Sequence, residues 1–476
     1  MVHNERSIFR NTAFTAAGRG AGDLFAFLFL IVFARTYGDD ALGEFSFAMA
    51  VGALLTLLVL LGMNSLLVRE IAQQPAEGPR LVGSLAGLQL LLAALVFGGL
   101  LLVSGFVVDG STRRQILLIV ILYQLVHALC LPFTGYFRAR EQTQYGAALE
   151  AGHKALILAL GTIAVLAAAP PQIALIAYPL AAVAMYAGGY TLVTKRHAAP
   201  QLRVDLTLSR RWIRTSLPLF VFSILGVLEL RAGIIFLGAT GDAAAVGLYA
   251  AGDRLISAAS LLLVMFNGAV FPVMSRLAAT PVELARLLAR CVRLAVMFAV
   301  PVATALILLR EPLIELVFGE AFGHAADVLG ILAAAMVPAA VNGLGTMLFV
   351  AEHRLPAMLK IQLLGVATFF AAMTVFVTTR SFTGLAWSVL IMKLVISIAT
   401  LIYLHRIGHG LPLWTILRGP LAASAGMIAV FLLSAELPLA LRLALMAAAA
   451  PVMLVVCKGV EPHDLAYVRR ILGKTG

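Results

Sequence analysis

Nine ionisable residues of this sequence lie inside long apolar runs, where a charge is costly. They are Arg19, Asp23, Glu150, Lys154, Glu229, Arg231, Asp253, Arg254 and Lys393. A charged side chain in an apolar environment pairs with an opposite charge or faces a water-filled pathway. Arginines bind phosphate groups through two parallel hydrogen bonds, and carboxylates exchange protons or cations. The sequence therefore predicts either internal ion pairs or a polar pathway.

Arg19 and Asp23 lie in the first apolar run, four residues apart, and so share one face of a helix. At 1.5 Å per residue, Arg19 lies roughly 15 Å inside that run. Gly18, Gly20 and Gly22 give the same stretch a small-residue surface, suited to close packing or to a hinge. Two interpretations follow: Arg19 binds a pyrophosphate from a cavity, or Arg19 and Asp23 form a buried pair.

Two further acid–base sets lie on either side of a predicted turn at 239–245. Counted from the ends of their helices, Glu229 and Arg254 lie at matching depth, as do Arg231 and Asp253. Mutual neutralisation across the hairpin is one interpretation. The other is that Arg254 or Arg231 faces a cavity, while a carboxylate exchanges a proton or cation during a transport cycle.

The remaining ionisable groups have no evident partner nearby in sequence, apart from Glu150 and Lys154, which are four residues apart. With His153, these two residues form either a gate that attracts anionic head groups or a basic end that extends to the membrane surface. Lys393 needs a partner from another helix, a substrate, or loss of its proton. His127 either titrates near neutrality or makes a hydrogen bond in the core.

The helices that position these residues are predicted to cross a membrane. The chain has 476 residues, of which 62% are hydrophobic and 12% charged, with a mean hydropathy of +1.00. Soluble domains have roughly 45–50% apolar residues and about a quarter charged. Breaks containing Gly, Pro and Asp separate runs long enough to span a bilayer. These predicted spans are 9–34, 42–63, 81–106, 115–137, 146–168, 172–194, 215–238, 246–272, 291–309, 325–350, 357–379, 384–404, 417–435 and 440–457. The expected fold is an all-α polytopic membrane protein with about 14 transmembrane helices.

The distribution of basic residues predicts the orientation of these helices. Twenty-four of the 35 Lys and Arg residues fall at the N-terminus or in segments on its side of the membrane, and six fall on the opposite side. The positive-inside rule then places both termini in the cytoplasm. The basic excess is explained by topology, so nucleic acid is not an expected partner. The three cysteines have no spacing typical of a metal site, and no metal, bound cofactor or catalytic residue is predicted.

The chain is predicted to contain two similar halves. Residues 38–45 resemble residues 241–249, and each stretch is followed by an asparagine 21 or 20 residues after its second glycine. Because six spans separate the copies, the repeat is parallel, with a pseudo-two-fold axis along the membrane normal. We therefore expect a six-helix lobe at 1–194, a cytoplasmic linker at 195–214, a second six-helix lobe at 215–404, and two further helices with a cytoplasmic tail at 405–476.

Several motifs resemble a known family. They are Ala34–Gly38, Leu42–Ala48, Phe318–Phe322, Ala325–Leu332 and Gly384–Ala386. They are similar to motifs of the polysaccharide-transporter family of lipid-linked oligosaccharide flippases, which belongs to a superfamily shared with multidrug exporters and peptidoglycan-precursor flippases. The resemblance implies two six-helix lobes that alternate between inward-open and outward-open states, with two helices appended.

The resemblance implies a flippase that moves a polyprenyl-pyrophosphate-linked glycan across the bacterial inner membrane for lipopolysaccharide or exopolysaccharide synthesis. The expected substrate-binding residues are Arg19, Arg231, Arg254, Lys393 and Lys154, and the expected coupling or pairing acids are Asp23, Glu229, Asp253 and Glu150. Energy would come from a proton or sodium gradient, the membrane potential or the substrate's own gradient. Membrane lipids are expected partners, with a polysaccharide polymerase and glycosyltransferases as further ones.

Three alternatives stay open at this point. A cation-coupled multidrug exporter and a peptidoglycan-precursor flippase have the same expected fold. A membrane-embedded glycan polymerase or ligase is a different class, but such enzymes usually carry catalytic residues on a large external loop. The external segments predicted here are all under about 20 residues long. A transporter is therefore expected rather than an enzyme.

Overall fold

The computed structural model describes residues 2–107, 110–196, 198–376 and 382–434, with isolated positions at 437, 441–442, 445 and 448–449. Within these ranges the chain forms α-helices and two short 3-10 turns, at Pro75–Glu77 and Glu320–Phe322, and no β-strand. The helices are α1 Val2–Leu60, α2 Met63–Gln73, α3 Gly78–Val107, α4 Ser111–Ala139, α5 Thr143–Leu166, α6 Pro171–Leu175, α7 Ala177–Arg196, α8 Leu206–Ala239, α9 Ala243–Arg276, α10 Pro281–Leu308, α11 Arg310–Phe318, α12 Ala325–Ala351, α13 Leu355–Phe376, α14 Phe382–Arg406 and α15 Leu413–Leu433. The predicted all-α class is confirmed.

Eleven of the described helical segments are long and apolar enough to cross a membrane. One of them, Gly20–Leu60, overlaps two predicted spans, 9–34 and 42–63. Helix α8 covers the span predicted at 215–238 but is not among the eleven. Most of the last predicted span, 440–457, lies outside the described residues. The chain is therefore a multi-pass membrane protein, and the number fourteen stays a prediction.

Gly38 divides α1 into two helices. Its backbone angles, φ 80° and ψ −173°, lie in a region that is almost exclusive to glycine. In a straight helix Phe33 and Phe45 would be about 18 Å apart. Their ring centroids are instead 5.9 Å apart. The chain therefore turns back on itself at this single residue, within the polar break predicted at 35–40.

The chain divides into two compact units, residues 1–247 and 248–476. In the first unit, α1 packs against α4, α5 and α8, and α4 also packs against α3 and α7. Fully buried aromatic side chains, among them Phe133, Phe137 and Trp212, form part of its core. In the second unit, α12 packs between α10 and α14, with α13 against α14 and α15 against α10.

Helix α8 is held to the first unit at both of its ends. It begins after Asp205, whose carboxylate accepts hydrogen bonds from two backbone N–H groups of the first turn. The preceding segment passes so close to α3 that a Cβ atom at Gly83 would overlap the backbone of Gln201. At the other end, the Arg113 guanidinium donates a hydrogen bond to the Gly238 carbonyl at 2.6 Å. These contacts fix α8 beside α1.

The two copies of the predicted repeat make reciprocal contacts within the first unit. A Cβ atom at Gly43 would overlap the carbonyl of Ala243, and a Cβ atom at Gly247 would overlap the carbonyl of Asp39. Both copies also begin at a glycine with positive φ, Gly38 at 80° and Gly241 at 89°. Gly43 and Gly247 occupy corresponding positions of the two copies, as do Asp39 and Ala243. Such reciprocal contacts are expected between two segments related by a two-fold axis.

Candidate functional site

A cavity of about 320 Å³, lined in part by charged side chains, lies among α1, α4 and α5 of the first unit. Its polar lining is formed by Asp23, Thr134, Arg138, Thr143, Glu150 and Lys154. Three of these residues, Asp23, Glu150 and Lys154, are among the ionisable groups that the sequence places inside spans. With Arg138 on α4, the cavity therefore collects charged groups from three helices of the predicted first lobe.

Small residues let α1 approach α5 beside this cavity. A Cβ atom at Gly18 would lie 3.1 Å from the Cβ atom of Ala147, and one at Gly22 would lie 3.1 Å from Cδ of Lys154. Gly18 and Gly22 thus form a close-packing surface, one of the two roles that the sequence suggests, whereas a Cβ atom at Gly20 would meet nothing within 4 Å. The side chain of Arg19, which lies between these glycines, is outside the described residues, so its role stays a prediction.

Asp23 and Lys154 form an ion pair between α1 and α5. The Lys154 ammonium donates a hydrogen bond to Oδ1 of Asp23 at 2.6 Å. The Asp23 side chain is half exposed, and that of Lys154 is 26% exposed. From the sequence, Arg19 is one possible partner of Asp23, and the membrane surface is one possible position for Lys154. In the structure Asp23 and Lys154 are paired with each other. This pair is accessible from the cavity.

Glu150 contacts histidines instead of Lys154. Its Oε1 atom lies 3.6 Å from Nε2 of His127 on α4. His153, one turn along α5 from Glu150, is 3% exposed and stacks on His127 with ring centroids 5.1 Å apart. Tyr123 contacts both histidines, with its ring centroid 5.7 Å from that of His153 and 5.8 Å from that of His127. Two histidines and a carboxylate therefore meet beside the cavity.

The four ionisable residues of the predicted hairpin are divided between α8 and α9, which are assigned to different units. Glu229 and Arg231 are half-buried on α8 in the first unit, and Asp253 and Arg254 are half-buried on α9 in the second. Their pairing across the hairpin stays a prediction. Lys393 is half-buried on α14, and its backbone carbonyl accepts a hydrogen bond from the amide of Asn342 at 3.2 Å.

A second charged cluster lies at the helix ends of the second unit. Glu352, just after α12, accepts hydrogen bonds from the Arg354 guanidinium at 2.6 Å and is 2.6 Å from Nε2 of His409. Arg354 also donates to the Tyr403 hydroxyl. Burial raises the pKa of Glu352, but the bonds from His409 and Arg354 outweigh it and hold that pKa below its usual value. This cluster ties the α12–α13 turn to the loop before α15.

Several of these residues carry no signal of a site in the sequence. Arg138 lies one residue beyond the predicted span at 115–137, Glu352 lies between two predicted spans, and His127 has two open interpretations. Glu150 and His153 are spaced by three residues, which does place them on one helix face. Their approach to His127 depends on how α4 packs on α5, and no pattern in the sequence indicates that.

Solved structures of membrane transporters share this fold. The lipid II flippase MurJ, in an inward closed conformation, aligns with a TM-score of 0.79 over 95% of this chain and 99% of that chain, at 12% identity. An inward-facing multidrug resistance MATE family transporter of the MOP superfamily aligns with a TM-score of 0.68, covering 81% of this chain and 94% of that chain at 16% identity. At these identities the likeness establishes the fold.

A mutant of the MATE transporter VcmN from Vibrio cholerae has a similar structure. It aligns with a TM-score of 0.55, covering 84% of this chain and 97% of that chain at 18% identity. No curated protein sequence matches the chain. The polysaccharide biosynthesis protein family matches residues 8–278, more than half of the chain. The chain belongs to that family, which confirms the resemblance found in its motifs.

Proposed function

We propose that this protein is a flippase that moves a polyprenyl-pyrophosphate-linked oligosaccharide from the cytoplasmic to the outer leaflet of the bacterial inner membrane. The observation that carries the proposal is the charged cavity among the membrane helices of a chain from the polysaccharide biosynthesis family. A sugar head group does not cross hydrocarbon unaided, because its polar groups lose their hydrogen bonds to water. A cavity with charged side chains among the membrane helices supports a route for such a head group.

Lys154 and Arg138 are the basic groups that the cavity offers to a pyrophosphate. In the structure the Lys154 ammonium is held by Asp23, and an incoming pyrophosphate would compete with that carboxylate for it. Exchange of the carboxylate for the pyrophosphate has a small cost in free energy, because the Lys154 ammonium is paired with an anion before and after it. We propose that this exchange starts the transport cycle, with Asp23 free to take up a proton or cation.

The other predicted residues extend this proposal beyond the cavity. Arg19, Arg231, Arg254 and Lys393 would bind the head group at later positions along the path. Glu229, Asp253 and Glu150 would pair with these bases or carry the coupling ion. The energy source would be a proton or sodium gradient, the membrane potential or the substrate's own gradient. No catalytic step is part of the proposal.

The proposed architecture has lobes at 1–194 and 215–404, a linker at 195–214 and an appended segment at 405–476, with both termini in the cytoplasm. On this orientation the cavity lies toward the cytoplasmic ends of α4 and α5, since it is lined from Leu131 to Lys154 on either side of the α4–α5 turn. A polymerase on the outer side and glycosyltransferases on the inner side would be the functional partners.

A peptidoglycan-precursor flippase is the second candidate, because the lipid II flippase MurJ shares the fold over nearly the whole of both chains. Both candidate substrates carry a pyrophosphate next to a polyprenyl tail. The Asp23–Lys154 pair and Arg138 would serve either of them. The two candidates therefore differ in the sugar or peptide beyond the pyrophosphate.

Transport by the purified protein in proteoliposomes tests the proposal. Vesicles would carry a fluorescent polyprenyl-pyrophosphate oligosaccharide, lipid II or a cationic dye, and the fraction moved between leaflets would be measured against time. We expect movement of the oligosaccharide carrier and not of the dye. Movement of lipid II alone would select the second candidate, and movement of the dye alone would overturn the flippase proposal.

A further inference from the structure

His127, Glu150 and His153 have the composition and spacing of a transition-metal site. Each offers one ligand atom, and these three atoms all lie within 4.8 Å of one another. Imidazole nitrogen is the donor that Zn²⁺, Co²⁺ and Ni²⁺ prefer, and one carboxylate beside two histidines is a common donor set for such ions. Hard cations such as Mg²⁺ prefer oxygen ligands throughout. The donor types therefore indicate a divalent transition metal.

Distances in this cluster are close to those that coordination needs. Zn²⁺ binds nitrogen and carboxylate oxygen at about 2.0–2.2 Å, so donors in a tetrahedral site are roughly 3.3 Å apart. The His127–Glu150 pair is already at 3.6 Å. The widest possible pair would have to close by about 1.5 Å on binding a metal.

His153 provides an independent observation in favour of a ligand. The residue is 3% exposed, and neither of its ring nitrogens has a hydrogen-bond partner among the described residues. A buried polar atom without a partner loses its hydrogen bonds to water and gains nothing in return. Stacking on Tyr123 and His127 fixes the plane of the ring without satisfying its nitrogens. A bound metal would satisfy one of them.

Charge pairing beside the cluster leaves Glu150 available as a ligand. The cation nearest to it in sequence, Lys154, is bound to Asp23 at 2.6 Å. The Lys154–Asp23 pair is neutral, so the three proposed ligands carry the single negative charge of Glu150. A divalent cation is favoured by that charge, and histidine binds a metal ion in its neutral form.

We propose that His127, Glu150 and His153 bind one Zn²⁺ or similar transition-metal ion per chain. The ion would link α4 to α5 within the first unit. Three protein ligands leave at least one coordination position open. Because Glu150 lines the cavity, a water molecule or a phosphate oxygen in the cavity could take that position.

Metal binding by the purified, full-length protein tests this proposal, after removal of any polyhistidine tag. Titration with Zn²⁺ is followed by calorimetry, and titration with Co²⁺ by its visible absorption, which reports on coordination number and on nitrogen ligands. We expect one tight equivalent per chain. Mg²⁺ should not compete for the site, since it lacks affinity for imidazole.

Three variants and one matched control locate the ion. His127→Gln, Glu150→Gln and His153→Gln should each weaken binding of Zn²⁺ and Co²⁺ at least tenfold. His324→Gln, which changes an exposed histidine elsewhere, should leave binding unchanged. His153 is buried, so its substitution could prevent folding. His127 is partly exposed, and metal binding by the His127→Gln variant then tests the site.

Two results would overturn the metal proposal. One is the absence of a bound equivalent in the unmodified protein. The other is equal affinity in all three ligand variants and in the His324 control. Because the measurement is binding and not transport, its failure is distinguishable from failure of the proposed flippase activity.

Discussion

Each unit of the protein brings a glutamate and a histidine together, and the two clusters differ in how fully their polar atoms are satisfied. Glu352 receives two short contacts, from His409 and Arg354, both at 2.6 Å. Glu150 has one longer contact, to His127 at 3.6 Å. The Glu352 cluster lies at helix ends, where Glu352 and Arg354 line a cavity of about 580 Å³. The Glu150 cluster lies within membrane helices beside the cavity of about 320 Å³.

The difference indicates which cluster holds the fold together and which is available for exchange. Glu352 is 11% exposed and His409 is 4% exposed, so their contact is shielded from water and joins two connecting segments. The cavity in the first unit is lined by an ion pair with a half-exposed carboxylate. Next to Glu150, which also lines it, is the buried His153, whose ring nitrogens have no hydrogen-bond partner among the described residues. We infer that the Glu352 cluster is structural and that the cavity residues serve transport.

Replacement of Lys154 tests the cavity side of this comparison and should have the largest effect. A charge-assisted hydrogen bond to a phosphate is worth about 1.5–3 kcal/mol, which corresponds to about 10- to 100-fold in rate or affinity. We expect Lys154→Met to slow oligosaccharide flipping in proteoliposomes by that factor. Its thermal stability should change little, since a partly exposed ion pair contributes about 0–1 kcal/mol.

Lys360→Met is the control for that variant, because Lys360 is exposed on α13 and is not part of the cavity. It should flip the substrate at the unmodified rate. If both lysine variants were equally active, Lys154 would have no part in transport, and the contrast between the two clusters would fail.

Glu352→Gln tests the structural side and should lower stability without slowing transport. The substitution removes a charged acceptor from two nearly buried contacts, at a cost of about 1–3 kcal/mol in the free energy of unfolding. Thermal denaturation in detergent should show a lower midpoint than for Glu283→Gln, which alters an exposed glutamate near the start of α10. Flipping below half of the unmodified rate at a temperature where the variant is folded would contradict a purely structural role.

The stability contributed by Glu352 should depend on pH. Its pKa in the folded protein is lowered, so its contribution is complete above the ordinary glutamate pKa of about 4.3 and is lost as the pH falls through the lower, folded value. The difference in melting temperature between the unmodified protein and Glu352→Gln should therefore shrink as the pH falls below about 4.3. A difference that grew below that pH would show the wrong sign.

Glu150→Gln gives the smallest expected change in stability. Glu150 has one contact at 3.6 Å, longer than an ordinary hydrogen bond, so we expect a cost of about 0–1 kcal/mol. Measured beside Glu352→Gln in the same detergent, it should lower the melting temperature by less than half as much. Equal losses would remove the distinction drawn between the two glutamates.

Much of the fold follows directly from the sequence, because apolar length and polar breaks determine where helices cross a membrane. The break at 35–40 marks the turn at Gly38, and the similarity of 38–45 to 241–249 anticipates the contact between Gly43 and Ala243. Asp23, Glu150 and Lys154 were also identified from their positions alone, since ionisable groups within spans are rare.

Side-chain partners could not be predicted in the same way. Lys154 pairs with a residue 131 positions away, and Glu352 contacts one 57 positions away. Helix periodicity relates residues three or four apart and carries no information on such distances. The i,i+4 spacing of Glu150 and Lys154 even indicated a neighbouring pair, whereas packing of α1 and α4 on α5 gives each of them a different partner.

The turn at Gly38 is a poor site for a label that reports membrane topology, and the turn at Gly241 is a better one. Because the chain reverses within one residue and brings Phe33 against Phe45, the turn has no loop that would accept an epitope tag or a protease site. The turn at Gly241 is different, since Thr240, Gly241 and Asp242 are all exposed. Antibody or biotin labels introduced there would report which face of the membrane the turn occupies, with the aromatic contact left intact.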